Sequence, residues 1–144
     1  MADSSVCIAL GADHRGYALK EFLKQNLAYD WIDVGTMSDQ RTDYPLFAYA
    51  VVDRIIRKEA RCGILICGSG AGMTIAANRY QTMRAATVWN VEVARAVKAD
   101  DNCNILVIPA DFVSNEDAIE LIQIWQKTEF KGGHYQERLL MIDL

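Results

Sequence analysis

Histidine is scarce in this chain of 144 residues, with only His14 and His134 far apart in sequence. None of the four cysteines (Cys7, Cys62, Cys67 and Cys103) stands in C-x-x-C spacing to another. The combination argues against a structural zinc site, so no metal or cofactor is expected. Disulfides are not expected either, since a reducing compartment is anticipated. Positive charge is also thin. The formal net charge is −4 and the pI is near 5.1. Arg57 with Lys58, or Arg79 with Arg84, make no basic stripe, which argues against a nucleic-acid partner. No apolar run approaches the roughly 18 to 20 residues of a membrane span. Met1-Ala2-Asp3-Ser4-Ser5 lacks the basic-then-apolar pattern of a signal peptide, and a cytoplasmic address is expected. There is no internal repeat, low-complexity tract or linker, and one domain over residues 1–144 is expected.

What the chain does have is alternation. Apolar runs at Cys7–Leu10, Trp31–Gly35, Cys62–Cys67, Arg84–Val88 and Asn104–Ile108 read as strands. Helical periodicity covers about 17–27, with Leu19, Phe22, Leu23 and Leu27 on one face. It returns after Tyr44-Pro45 to about Lys58, and again over about 91–99, 116–128 and 134–142. A further helix is read at Ile75–Tyr80, and residues 36–42 read as a loop. Strands apolar on both faces, alternating with helices, predict an α/β fold. Its architecture is a Rossmann-like three-layer sandwich around a five-stranded parallel sheet. Ligands in such folds bind beyond the carboxyl ends of the strands, near the point where strand order reverses. Candidate residues are therefore those just after each strand.

The sharpest candidate is Cys67, which ends an apolar strand and is followed by Gly68-Ser69-Gly70-Ala71-Gly72-Met73. A helix beginning there offers unpaired backbone N–H groups and the positive end of a dipole. Both are expected to favour the thiolate of Cys67 and to hold an anion over the turn. The same residues also read as a buried small apolar side chain followed by strand-to-helix punctuation. Three glycines in five residues exceed what a turn needs and suggest room for a ligand. Familiar labels fit badly. The pattern Gly68-x-Gly70-x-Gly72 is not the dinucleotide fingerprint and follows the third strand. Gly11 and Gly16 have Walker spacing, but Tyr17 stands where lysine belongs. A nucleophile elbow would need glycine at Cys67.

Two other segments belong to the same sheet edge. Asp13-His14 reads either as a capping aspartate with a solvent-facing histidine, or as a hydroxyl and anion contact. Thr42 or Asp43 reads as the cap of the helix opened by Pro45, and Asp43 and Tyr44 read alternatively as ligand contacts. Cys7 and Cys62 read as small apolar core residues inside strands.

These motifs carry a resemblance. Gly-Ala-Asp13-His14-Arg-Gly, Asp-Val-Gly-Thr36, Arg41-Thr-Asp43-Tyr44-Pro45, Ile-Cys67-Gly-Ser69-Gly-Ala-Gly and Ala-Ala-Asn78-Arg together resemble the ribose-5-phosphate isomerase B family. That family also includes the two-subunit galactose-6-phosphate isomerase, and the resemblance spans essentially the whole chain. It implies interconversion of ribose 5-phosphate and ribulose 5-phosphate through an enediolate, a step of the pentose phosphate pathway. It implies a homodimer, often paired into a tetramer, with sites shared between subunits. Cys67 matches the base and Ser69 a hydroxyl position. Backbone N–H groups of Gly70, Ala71, Gly72 and Met73, next to Gly68, are implied to hold the enediolate.

The chain departs from the family elsewhere. Relatives usually carry His-Asn where this chain has Asp100-Asp101, and that histidine is thought to open the sugar ring. Relatives place an arginine where this chain has Asp111, whose charge is expected to repel a phosphate. Relatives end in Gly-Gly-Arg-His-x-x-Arg, whereas Gly132-Gly133-His134-Tyr135-Gln136-Glu137-Arg138 keeps only the second arginine. His134 is thus read either as a phosphate ligand with Arg138, or as a solvent-facing residue capping the last helix. The departures also admit another reading, a sugar-phosphate-binding subunit that is inactive without a second chain.

Overall fold

The computed structural model describes residues 6–143. Strands and helices alternate: β1 (Cys7–Ala12), α1 (Tyr17–Asn26), β2 (Asp30–Gly35), α2 (Tyr44–Ile56), β3 (Cys62–Cys67), α3 (Ala71–Ala77), β4 (Ala85–Thr87), α4 (Val91–Ala99), β5 (Ile105–Pro109), α5 (Asn115–Lys127) and α6 (His134–Ile142). All pairings are parallel, and the strand order is β2-β1-β3-β5-β4. The α/β sandwich expected from the alternation of apolar runs and helical periodicity is what the chain adopts.

Every residue of β3 and β5 is buried, as their unbroken apolar sequences require of central strands. On one face, Leu19 and Leu23 of α1, Ala94 of α4 and Trp125 of α5 cover Ile8, Leu10, Ile64 and Leu106. On the other face, Val51 and Val52 of α2 and Met73 of α3 cover Ala9, Leu65 and Val107. Gly63 lets α2 come close, because a Cβ there would meet Val51 Cγ1 at 2.4 Å. The indole N–H of fully buried Trp125 donates to the Cys103 carbonyl at 3.2 Å. No helix among the described residues is long and apolar enough to cross a membrane.

One element differs from expectation. The third helix occupies 71–77 rather than 75–80. Gly70 takes φ +81 at its N-cap, a left-handed conformation that lets the helix start immediately after β3. Asn78 ends it, with its amide accepting from Ala85 N–H at 2.8 Å and donating to Ala85 O at 2.9 Å. Cys7 also departs from the core reading, being half-buried, with its thiol donating to Glu59 O at 3.2 Å.

A charged knot fixes the end of β2. Lys20 is fully buried, with Nζ 2.6 Å from Asp33 and 2.7 Å from Glu21. Lys24 lies 2.7 Å from the same Asp33 oxygen. Burial pushes the Asp33 carboxyl up, but hydrogen bonds from Lys20, Lys24 and Gly35 N–H outweigh it and hold the group below its ordinary range. Asp33 Oδ1 accepts from Gly35 N–H at 2.9 Å, and Thr36 N–H donates to Ala12 O at 2.8 Å. The loop leaving β2 is therefore tied to the end of β1.

Burial raises the Cys103 thiol from 9.0 to about 12, with Asp101 adding to the rise. A thiol kept protonated in the fold but free to ionise when unfolded contributes stability that is complete below the unfolded value. That contribution is lost as pH climbs toward the folded value. The protein is expected to lose about 1.4 kcal/mol per pH unit from Cys103 above its unfolded pKa. Cys103→Ala should flatten the alkaline decline in urea midpoints relative to the native chain.

Candidate active site

Strand order reverses at β1 and β3, so their carboxyl ends flank one crevice. The chain after β1 lies directly against the end of β3. Asp13 N–H donates to Ile66 O at 3.2 Å, and a Cβ on Gly16 would meet that carbonyl oxygen at 2.6 Å. Asp13, His14 and the turn from Cys67 to Met73 are thereby brought together, as expected.

Asp13 is buried, and its Oδ1 accepts from Arg15 N–H at 2.9 Å and Gly16 N–H at 3.1 Å. It closes the turn ahead of α1 rather than capping the helix, whose N-cap is Gly16. His14 is not simply solvent-facing. Its N–H donates to Thr42 Oγ1 at 3.2 Å, and its Nδ1 accepts from Thr42 N–H at 3.2 Å. A backbone N–H can only donate, so the neutral ring carries its proton on Nε2. This clasp binds the loop before α2 to the end of β1, and it brings Asp43 and Tyr44 to the same edge. Asp43 is the N-cap of α2 but makes no side-chain cap bond. The sequence singled out Thr42 only as a cap; its hydroxyl serves His14 instead.

Cys67 Sγ accepts from Gly70 N–H at 3.2 Å. Its thiol is nevertheless raised above the ordinary 9.0. Burial is the largest cause, and it outweighs the N–H groups of Met73, Gly70 and Ser69, while Asp13 adds a further upward push. The expected lowering by the helix start is present but loses to desolvation. Two of the four N–H groups expected over the turn are thus aimed at the sulfur. That of Ala71 donates to the exposed Ser69 hydroxyl at 3.3 Å.

The glycines make room chiefly for the protein's own side chains. A Cβ at Gly72 would meet the Tyr44 ring at 2.6 Å, and one at Gly68 would meet the Arg15 guanidinium at 2.6 Å. Arg15 also pairs with Asp111, whose N–H donates to Gly68 O at 3.1 Å. The Asp111 carboxylate at this edge is accordingly answered by a cation. No sequence signal links residues 96 apart, and the role of Arg15 was missed.

The remaining candidates lie elsewhere in the chain. Asp100 is the C-cap of α4, near the amino ends of β4 and β5, where Asn104 N–H donates to Arg84 O at 3.0 Å. Its carboxylate sits 2.7 Å from Lys131 Nζ, a partner the sequence did not announce. Asp101 beside it is exposed. His134 is the first residue of α6, makes no side-chain cap bond, and stacks on Tyr135 at 4.5 Å between centroids. Arg138 and Lys131 stand 5.5 and 4.8 Å from the same ring. Helix α6 ends under the amino edge, where Arg84 pairs with Asp143. In one chain the candidate residues therefore form two groups, on opposite edges of a sheet whose six-residue strands β1 and β3 are about 20 Å long.

Known proteins share both sequence and fold. A ribose 5-phosphate isomerase structure from Thermotoga maritima superposes with a TM-score of 0.94 at 40% identity, covering 96% of this chain and 97% of that one. The Mycoplasma genitalium ribose-5-phosphate isomerase B, solved with bound ribulose-5-phosphate, gives 0.88 at 34% identity, covering 97% and 95%. Ribose-5-phosphate isomerase B of Escherichia coli is 35% identical over 135 residues, 92% of this chain and 91% of that protein. The family described as Ribose/Galactose Isomerase matches residues 8–142, and the chain belongs to that family.

Proposed function

We propose that this chain is an aldose–ketose isomerase interconverting ribose 5-phosphate and ribulose 5-phosphate, with Cys67 as the base. The observation that carries the reading is the sulfur of Cys67. It sits at the β1/β3 crevice with backbone N–H groups aimed at it and Asp13 and Ser69 beside it. The ribulose-5-phosphate bound by the Mycoplasma relative supports the pentose substrate.

In the forward step the thiolate takes the C2 proton of the open-chain aldose. The electron pair of that C–H bond becomes the enediolate double bond, and negative charge moves to the C1 oxygen. The thiol then returns its proton to C1, and a proton passes between the two oxygens to leave the ketose. A raised thiol pKa makes the thiolate scarcer at neutral pH but a stronger base where it forms. Donors of the turn and the Ser69 hydroxyl lie where charge alternates between sulfur and enediolate oxygen. His14, through Nε2–H, and Asp13 bind the sugar phosphate, and Asp43 and Tyr44 wall the crevice. Gly68, Gly70, Ala71, Gly72 and Met73 supply the backbone surface.

Asp100, Asp101, His134 and Arg138 complete a site only when the amino edge of a second copy meets this crevice. Exposed apolar residues support such an assembly: Leu140, Met141 and Ile142 on α6 are 58%, 72% and 72% exposed, and Leu46 beside Tyr44 is 63% exposed. His134 and Arg138, clustered on Tyr135, then grip the phosphate. A partner-dependent subunit is the second reading. It is favoured by Asp100, a carboxylate committed to Lys131 at the position where the resemblance places a ring-opening histidine. Turnover of ribose 5-phosphate by the purified chain alone separates the two.

Four outcomes are expected. Cys67→Ala should abolish turnover while retaining substrate binding, and Cys67→Ser should be nearly as damaging; near-native turnover in Cys67→Ala would remove the base. Alkylation of Cys67 should likewise accelerate up to and beyond about pH 9, as the raised thiol ionises. For the shared site, Cys67→Ala and Arg138→Ala chains, each impaired, should recover roughly a quarter of native turnover when re-paired in equal amounts, through mixed dimers with one intact site. Absence of any recovery would separate the two edges. For the phosphate grip, histidine loses its charge across neutrality and arginine does not. His134→Arg, which places a permanent cation there, should therefore tighten ribose 5-phosphate binding. Superimposed affinity curves would take His134 out of the site.

A further inference from the structure

The amino edge of the sheet opens a hollow of about 550 Å³, between the starts of β3 and β5 and the ends of α4 and α5. That volume lies within the range of small-molecule sites. None of the residues assigned above to isomerisation lines it. Arg61, Arg84, Lys98 and Lys127 all do, with Glu129 as a single carboxylate. Arg84 is neutralised by Asp143. Among the described residues Arg61, Lys98 and Lys127 take part in no ion pair, and neither does Glu129. A chain with a formal net charge of −4 thus keeps surplus positive charge in one concavity.

Lys98 is the informative group. It is half-buried, and its ammonium stands 5.3 Å from the centre of the Trp125 ring. Burial, and then repulsion from Arg61, hold it below the ordinary lysine range against the pull of Cys62 and Cys103. A partly desolvated cation without a carboxylate is unfavourable unless something else answers its charge. Two neighbouring amides are committed to the protein. Gln126 donates to Cys62 Sγ at 3.4 Å, and the Asn104 amide serves Arg84 N–H and Thr82 O. The cations are left to face the hollow.

We propose that this hollow is a second anion site, which takes a phosphate-bearing small molecule through Lys98, Arg61 and Lys127. Two ammonium groups and a guanidinium around one concavity suit the several oxygens and double charge of a phosphate. The residues that line it are separate from those of the isomerase reading.

The Trp125 indole N–H reports on it, since it bonds the Cys103 carbonyl and its ring lies beneath Lys98. The test is titration of the chain with inorganic phosphate, following the assigned Trp125 indole resonance, with chloride at matched ionic strength as control. A saturable shift with phosphate and not with chloride is expected. Lys98→Gln and Arg61→Gln should each weaken it by about tenfold. Cys67→Ala should leave it unchanged. Failure of the isomerase reading would appear in turnover alone and would not touch this resonance. No saturable shift, an equal response to chloride, or native affinity in both the Lys98 and Arg61 variants would overturn the proposal.

Discussion

The approach of the chain after β1 to the end of β3 is the constraint on which the rest of the crevice depends. Only a residue without a Cβ fits at position 16, because the Ile66 carbonyl oxygen occupies that space. With Gly16 seated, the Asp13 N–H reaches Ile66 O, the Asp13 carboxylate closes its turn, and α1 leaves in the right direction. His14 is then placed to hold Thr42, and through it the segment leading into α2. The Asp33 knot secures the same segment from the β2 side. A crevice assembled from three separate stretches of sequence thus hangs on one backbone contact and two polar ties.

The two edges of the sheet differ in how much charge they leave unpaired. At the carboxyl edge Arg15 meets Asp111, and burial holds the Cys67 thiol above its ordinary range despite three N–H groups. Reactivity there depends on a group whose ionisation the fold opposes, which makes it a potent but infrequent base. At the amino edge several cations stand without partners. The helix macrodipole does not decide the carboxyl edge. α3 has only seven residues, and desolvation of Cys67, a residue 5% exposed, outweighs its short stack of N–H groups.

Much of this was legible in the sequence, for physical reasons. β3, α4 and α6 fall where apolar run and helical period placed them, because buried parallel strands and amphipathic helices write their own boundaries. Cys67 stood out because it closes such a run ahead of glycines. The start of α3 was not legible, since Gly70-Ala71-Gly72 carries no hydrophobic period and the helix begins on a left-handed glycine. Nor was the state of Cys67, which depends on a balance between burial and hydrogen bonds that spacing does not reveal. Partnerships such as Asp100 with Lys131 and Arg15 with Asp111 join distant stretches, and a charge alone does not name its counter-ion.

The clasp between His14 and Thr42 makes two properties mutually exclusive. While Nδ1 accepts the Thr42 N–H, that nitrogen has no room for a proton. An imidazolium at position 14 would present a donor to a donor, so charging the ring and keeping the loop clasped compete for one lone pair. A side chain at position 14 without that acceptor would at the same stroke release the segment bearing Asp43 and Tyr44. The tautomer of the ring and the position of the crevice wall are thereby fixed together.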